Sequence, residues 1–336
     1  MAVTIKDIAQ RIGVSVSTVS MVLNGKDYRI SPATREKVEA AAREMNYRPN
    51  RMAAGLVTKT SKTLGLIVPD ITNSYFAEMA AVIEAKCADN GYSLFLCTTN
   101  YMPEHDVKYT NLLLEQGVDG ILFVMSVDGH NHRAGECLQL LREAGVPILL
   151  LDQEWSNDIA VNVISDNEQG GYLAVRHLLE LGHVRVGSLT GPAGTQTSQK
   201  RLSGYKRALQ EYDLPFDPKL IVEGNFRTDS GYDQCDVLLA QNVTAIFAYN
   251  DMMALGIYKR LREKGIRVPE DISLVGYDNL NFTDCLEVPL TTIYQPAAQM
   301  GETAVVKMLQ MLAKERPQDV IFAPKLIIRA STSPLL

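Results

Sequence analysis

The stretch from Thr4 to Gly25, "TIKDIAQRIGVSVSTVSMVLNG", decides the first part of the fold. Thr4 precedes apolar residues at Ile5, Ile8, Ala9 and Ile12, the spacing of one helix face, and Asp7 puts an acid in the first turn. Gly13 stops that helix, and after Val14 a second begins, with Ser15 as its cap and Val19, Val22 and Leu23 as its inward stripe. The second helix is rich in serine and threonine, which are poor interior helix formers, and it carries no lysine or arginine. Its stability must come from packing of the valine face, which leaves Val16, Ser17 and Met21 on the opposite side.

A third helix follows in "SPATREKVEAAAREMNY", with Ser31 as cap, Pro32 in the first turn, and Val38, Ala41, Ala42 and Met45 as the buried stripe. Two short helices joined by a tight turn, with a third across them, make a helix-turn-helix unit.

Charge separates this head from the rest of the chain. The 336 residues carry a formal net charge of −6. Residues 1–63 hold eleven Lys and Arg against five Asp and Glu, a net of +6, and the remaining 22 bases and 34 acids give −12. A basic head on an acidic body points to a polyanionic partner for the head. Small polar and apolar side chains suit close approach to base edges, while Lys6, Arg11, Lys26, Arg29, Arg35 and Arg51 flank the reading face and suit phosphates.

The ordered match of "TIKDIAQRIGVSVSTVSMVLNG", "ISPATREKVEAAAREMNYRPN" and "RMAAGL" resembles the DNA-binding head of the lactose-repressor (LacI/GalR) family. The resemblance implies that Val16, Ser17 and Met21 face the major groove. It implies backbone-contacting positions at Thr4, Ser15, Thr18, Ser20, Asn24 and Thr34, within a DNA-binding set that also includes Ile5, Lys6 and Asn50. In "PNRMAAGL" it implies a hinge helix whose Leu56 wedges into the minor groove at the operator centre. Met21 stands where many relatives carry Arg or His, and Val57 where several carry Lys, so no operator sequence carries over.

Beyond the "TKTSKT" linker, nine apolar runs read as strands: "TLGLIVPD", "YSLFLCTTN", "DGILFVMS", "VPILLLDQ", "RVGSLTGP", "LIVEGNF", "TAIFAYND", "ISLVGYDN" and "LTTIYQP". Amphipathic helices such as "YFAEMAAVIEAKCADNG" and "GGYLAVRHLLELG" lie between most of them. This alternation predicts parallel sheets covered by helices on both faces, and so many strands suit two doubly wound lobes. The runs end in polar residues: Asp70 and Asn73, Asp152 and Gln153, Asn250 and Asp251, Asp278 and Gln295, with Tyr75, Phe76 and Phe226 nearby. Ligands of open α/β sheets lie outside the carboxyl ends of the strands. Acids, amides and flat rings there suit a polyhydroxylated ring.

The body also resembles the periplasmic sugar-binding-protein fold of the same family, through "PDITNSYFAEM", "DNEQGGYLAVRHLLELGH", "NDMMALGIYKRLREKGIRVPEDISLVGYDN" and "PLTTIYQP". The resemblance implies effector contacts from Asn73, Tyr75 and Phe76 in one lobe, from Phe226, Asn250 and Asp278 in the other, and from Gln295 on a crossover. Asp152 sits where relatives place an acid, and Gln153 replaces an arginine frequent in ribose binders. Gln199 also stands where many members have arginine, with Arg201 two residues later. "GPAGTQTSQKR" looks most like the ribose-repressor branch. Ribose or another small furanose-type sugar is therefore the first expectation. A purine base is the second, because Tyr75, Thr197, Arg201, Phe226 and Asp278 also match the purine-repressor pattern.

The expected organisation is an N-terminal all-α helix-turn-helix head over residues 1–49, a hinge helix and linker over 50–61, and an α/β body over 62–336. The body is expected as two doubly wound parallel-sheet lobes, periplasmic-binding-protein-like. Lobe 1 covers about 62–160 and 294–322, and lobe 2 about 161–293 and 323–336. The implied partners are a near-palindromic double-stranded operator, a second copy of the chain in a homodimer, and a small-molecule effector. No catalytic signature, metal spacing, cofactor fingerprint or signal-peptide core is present, so an enzyme, a metal or cofactor site, a membrane protein and an exported sugar receptor are not expected. The five scattered cysteines read as reduced core residues and the five histidines as surface or helix-end residues, in a cytoplasmic protein.

Overall fold

The computed structural model describes residues 3–23, 25, 29–47, 60–126, 132–154 and 160–335. Asn24, Lys26, Asn50, Arg51, Leu56, Val57 and most of the expected hinge helix lie outside the described residues. The chain divides into two units, Met1–Ser61 and Lys62–Leu336.

In the first unit, α1 (Ile5–Ile12), α2 (Val16–Leu23) and α3 (Pro32–Glu44) enclose a core of Ile8, Ala9, Val19, Val22, Val38, Ala41 and Ala42. Gly13 ends α1 in the left-handed region at φ 71°, where a side chain would be strained, and its N–H donates to the Ala9 carbonyl. The caps fall where the sequence puts them. Thr4 donates from its N–H and hydroxyl to Asp7, both at 2.8 Å. The Thr18 N–H donates to Ser15 Oγ at 3.1 Å, and the Thr34 N–H to Ser31 Oγ at 3.3 Å.

The second unit contains two six-stranded sheets. The first has β1 (Thr63–Val68), β2 (Ser93–Thr98), β3 (Gly120–Phe123), β4 (Ile148–Leu151), β5 (Ala160–Ser165) and β11 (Val320–Phe322) in the order β11-β5-β4-β3-β1-β2, all parallel. The second has β6 (Val186–Thr190), β7 (Ile221–Glu223), β8 (Ala245–Ala248), β9 (Ser273–Asp278), β10 (Thr291–Tyr294) and β12 (Lys325–Ile327) in the order β12-β10-β9-β8-β6-β7. Only β12 runs antiparallel to its neighbour.

The central strands β1, β3 and β4 of the first sheet are buried on both faces, so they read as continuous apolar runs. Leu64, Leu66, Leu122, Leu149 and Leu151 pack under α4 (Ser74–Asp89) and α11 (Ala297–Leu312). Their sequence neighbours Ile67, Ile121, Phe123, Ile148 and Leu150 face the other way, toward α5 (Pro103–Glu115) and α6 (His132–Ala144). The second sheet shares a core with α7 (Asn167–Glu180), α8 (Gln196–Glu211), α9 (Thr228–Leu239) and α10 (Asp251–Glu263).

The chain crosses between lobes after Ser165, after Tyr294, and between Phe322 and Lys325. The first crossing lies beyond the expected boundary at 160, because residues 160–165 form a further strand, β5, that pairs with β4 in lobe 1. His177 in the last turn of α7 and His183 just beyond it lie where helix-end residues are expected, but they are buried, His177 bonded to Thr332 and His183 to Thr244 and the Ser333 carbonyl, and so tie the C-terminal segment to lobe 2. Of the five free cysteines Cys285 is exposed, not part of the core. No helix among the described residues is long and apolar enough to cross a membrane.

Candidate functional site

The carboxyl ends of both sheets meet at a polar cavity. Lobe 1 contributes Asn73, Tyr75, Phe76, Asp152 and Gln153, and lobe 2 contributes Thr197, Arg201, Phe226, Asn250 and Asp278. Gln295 lies on the crossover after β10.

Local structure fixes each of these groups. Asn73 caps α4 by accepting the Tyr75 N–H at 3.1 Å, and Asn250 caps α10 by accepting the Met253 N–H at 2.8 Å. Asn250 also donates to the Phe226 carbonyl at 2.8 Å, which holds the ring-bearing loop against α10. The Tyr75 hydroxyl donates to Asp152 at 3.2 Å. Arg201 is packed flat over Tyr277, 3.6 Å from the ring centroid, and donates from Nε to Asn167 at 2.8 Å and from Nη1 to the Tyr249 carbonyl. Gln153 donates to the Met125 carbonyl and Gln295 to Asp278, both at 2.8 Å.

Tyr101, Asp152, Phe226 and Asp278 all line the cavity with positive φ (59°, 63°, 64° and 111°). Non-glycine residues rarely adopt this conformation, and such strain concentrates where structure holds functional groups in place. Across the lobes, the Tyr101 and Phe226 rings stack at 6.0 Å between centroids. Burial pushes Asp152 up to about 6, with the Arg201 charge and the Tyr75 hydroxyl offsetting part of it. Burial holds Asp278 well above the ordinary carboxylate range, against the opposing pull of Arg201. Carboxylates perturbed by burial beside a specific charge partner in a cleft are the pattern of a candidate functional site.

Gln199 does not join the cavity. On α8, Thr197 and Arg201 are four residues apart and share a face, which turns Gln199 outward to bond the Ala193 carbonyl at 3.2 Å. Asp251 is also structural: it accepts the Leu280 N–H at 2.8 Å and the Thr292 hydroxyl at 2.7 Å. Tyr101, Ser126 and Thr195 line the cavity without having been expected. Tyr101 directly follows the run "YSLFLCTTN" and Ser126 ends the run "DGILFVMS", so the strand-end rule reaches both, whereas Thr195 carries no distinguishing signal.

In the head, α2 exposes Val16, Ser17 and Met21, Met21 at 45%, while Val19 and Val22 are buried beneath. Thr4 and Lys6 are exposed at the start of α1, and Ile5 is half-buried against the core. Ser15 and Thr18 bond one another at the start of α2, Ser20 is half-buried on that helix, and Thr34 is in the first turn of α3. Arg11 pairs with Glu44 at 2.7 Å and so links α1 to α3.

A helix-turn-helix head on one chain with a two-lobed body and a polar cavity defines a DNA-binding regulator with a ligand-binding domain. Residues 4–50 match the model for bacterial regulatory proteins of the lacI family. Residues 61–330 match that for periplasmic binding proteins and the sugar-binding domain of the LacI family. The chain is 38% identical to the HTH-type transcriptional repressor PurR of Vibrio atlanticus, over 99% of each chain. It is similar to the lac repressor dimer bound to operator and the anti-inducer ONPF, with a TM-score of 0.86, 31% identity, and 99% of this chain and 100% of that one covered. A LacI-family regulator of Enterococcus faecium with bound ribose matches with a TM-score of 0.72 and 32% identity, over 82% of this chain and 100% of that one. The chain belongs to the LacI family of transcriptional regulators, and it is not an enzyme.

Proposed function

We propose that this regulator is a cytoplasmic repressor that binds a near-palindromic operator as a homodimer and is controlled by a small sugar such as ribose held in the body cavity. The observation that carries the ligand reading is the pairing of acceptors Asp152, Gln153, Asp278 and Gln295 with the Tyr101 and Phe226 rings in one cavity. Acceptors suit hydroxyl groups, and rings suit the C–H faces of a sugar. The ribose-bound E. faecium relative supports the choice. Of the expected contacts, Asn73, Tyr75, Phe76, Thr197, Arg201 and Asn250 complete the set, and Gln199 drops out.

The homodimer reading draws on the edge strand β2, where Phe95 and Leu96 are each 44% exposed. In the head, Val16, Ser17 and Met21 read the major groove. Thr4, Ser15, Thr18, Ser20, Asn24 and Thr34 hold the backbone, Ile5, Lys6 and Asn50 complete the DNA-binding set, and Leu56 wedges the operator centre. Effector binding changes the angle between the lobes and releases the operator, a coupling typically of about 1–3 kcal/mol.

A purine base is the second reading, favoured by the match of Tyr75, Thr197, Arg201, Phe226 and Asp278 to the purine-repressor pattern and by the likeness to PurR. Operator fragments selected from random DNA by the full chain, titrated with pentoses, hexoses and purine bases, test both. Loss of operator binding with a sugar supports the first reading, and a response to hypoxanthine or guanine alone replaces it with the second. Sugars and purines that bind yet leave operator affinity unchanged would remove the switch.

A further inference from the structure

We infer that the cavity is built for an uncharged, unphosphorylated ligand rich in O–H or N–H donors, with Gln153 and Gln295 as the residues that set this preference. The inference rests on the ligand reading above and narrows it by charge.

Among the described residues, three charged side chains line the cavity, Asp152, Asp278 and Arg201, each more than nine-tenths buried, and no lysine or histidine joins them. The single guanidinium is committed on two sides to lobe 2 itself, through Asn167 and the Tyr249 carbonyl, and its face is covered by Tyr277. A phosphate ester would bring its charge beside two acids that burial already disfavours in their ionised forms, with one occupied arginine to offset it, in a setting where charge is poorly screened. Two of the helix N-termini at the wall, α4 and α10, are closed by Asn73 and Asn250. The third, α8, lacks a side-chain cap at Thr195, and its dipole supplies only about half an elementary charge.

The amides give the positive side of the argument. Each has its Nε2 fixed by an oxygen acceptor: the Met125 carbonyl for Gln153 and Asp278 Oδ1 for Gln295. That leaves both Oε1 atoms pointing elsewhere, buried and without a partner among the described residues. Both residues line the cavity and are under 7% exposed. Buried acceptors without donors are costly, and a ligand that brings two donors relieves both at once. Hydroxyls of a sugar or ring N–H groups of a base can do so, and an ionised phosphate oxygen cannot.

The test is calorimetric titration of the full chain with matched pairs: pentoses, hexoses and purine bases, each against its phosphate ester or mononucleotide. The expected result is that a neutral member binds and its phosphorylated counterpart binds at least roughly tenfold more weakly. Gln153→Arg, which adds the missing cation, should shrink that ratio. Gln153→Met, uncharged and of similar volume, should weaken the neutral ligand without admitting the phosphate. A phosphorylated member that binds as tightly as its neutral partner overturns the charge inference and leaves the ligand reading standing. If no member of any pair binds, the ligand reading falls and the inference falls with it.

Discussion

Arg227 Nε lies 3.3 Å from Asp70 Oδ2, an ion pair that joins lobe 2 to lobe 1 beside the cavity. The pair flanks the ring contact between Phe226 and Tyr101, and the guanidinium lies 5.9 Å from the Tyr101 ring centroid. Asp70 is held in place by the Thr72 N–H and hydroxyl at 2.9 and 2.6 Å. The pair favours the arrangement in which the lobes embrace a ligand, so it raises the fraction of molecules ready to hold one. Arg227 is 44% exposed, and solvent screening limits the pair to roughly 1 kcal/mol or less. Arg227→Ala should therefore weaken effector binding by at most about fivefold, mainly through faster release. Salt should weaken binding to the wild-type chain and have little effect on the variant. Equal affinity and equal salt dependence in stopped-flow titrations would remove the pair from the mechanism.

Asp152 predicts a pH dependence with a definite sign. Burial raises it from 3.8 to about 6, so the folded chain holds that proton more tightly than the unfolded chain does. Its contribution to stability is fully present below about 4 and is lost as pH rises through about 6, at a cost on the order of 3 kcal/mol. Asp152→Asn keeps an acceptor for the Tyr75 hydroxyl and removes the buried charge. The variant should melt above wild type at pH 7.5, with the difference vanishing near pH 4. Calorimetric scans across that range check it, and a difference independent of pH would show that Asp152 titrates normally.

Lobe 2 depends on two helices in backbone contact. A Cβ on Gly171 of α7 would fall on the Arg201 carbonyl of α8, and one on Gly204 of α8 would fall on the Glu168 carbonyl of α7. No side-chain rotation relieves either clash. Gly171→Ala should cost about 1–3 kcal/mol or more and displace Thr197 and Arg201 from the cavity wall. Gly135→Ala on α6 is the control, since its Cβ would meet nothing within 4 Å and should add a few tenths to about 1 kcal/mol. Melting temperature and effector affinity should fall together in the first variant and in neither respect in the second. A Gly171→Ala chain that melts like wild type would contradict the helix contact.

The cavity was readable in the sequence to the extent that its residues end long apolar runs. Strands β1, β3, β4, β8 and β9 are buried on both faces, so their ends are sharp, and Asp152 and Asp278 follow directly. Strand β5 was lost because Asn162 interrupts "AVNVIS"; that side chain is buried and held by Asp319 at 2.8 Å. Strands β11 and β12 have three residues each at sheet edges and bury too little to leave a pattern. Gln199 was included by sequence position, and helical phase excludes it. The unpartnered oxygens of Gln153 and Gln295 depend on where the Met125 carbonyl and Asp278 lie in space, which no local pattern encodes.

Met21 separates folding from reading in the head. It is exposed on α2 opposite Val19 and Val22, and it has no place in the core that holds the three helices together. Met21→Arg should therefore leave the stability of the head within about 0.5 kcal/mol of wild type. An arginine at an exposed position on a major-groove helix gains bidentate bonds to guanine, a discrimination of about 1–3 kcal/mol against other bases. Selection from random operator libraries should then return sites with guanine enriched at one position in each half-site, where the wild-type chain favours contact with an apolar group such as a thymine methyl. Ser15→Ala, which removes the cap bonded to Thr18, should behave in the opposite way, lowering head stability by roughly 1 kcal/mol without changing the preferred sequence. If the two variants returned the same operator as wild type, Met21 would be a surface residue with no part in recognition.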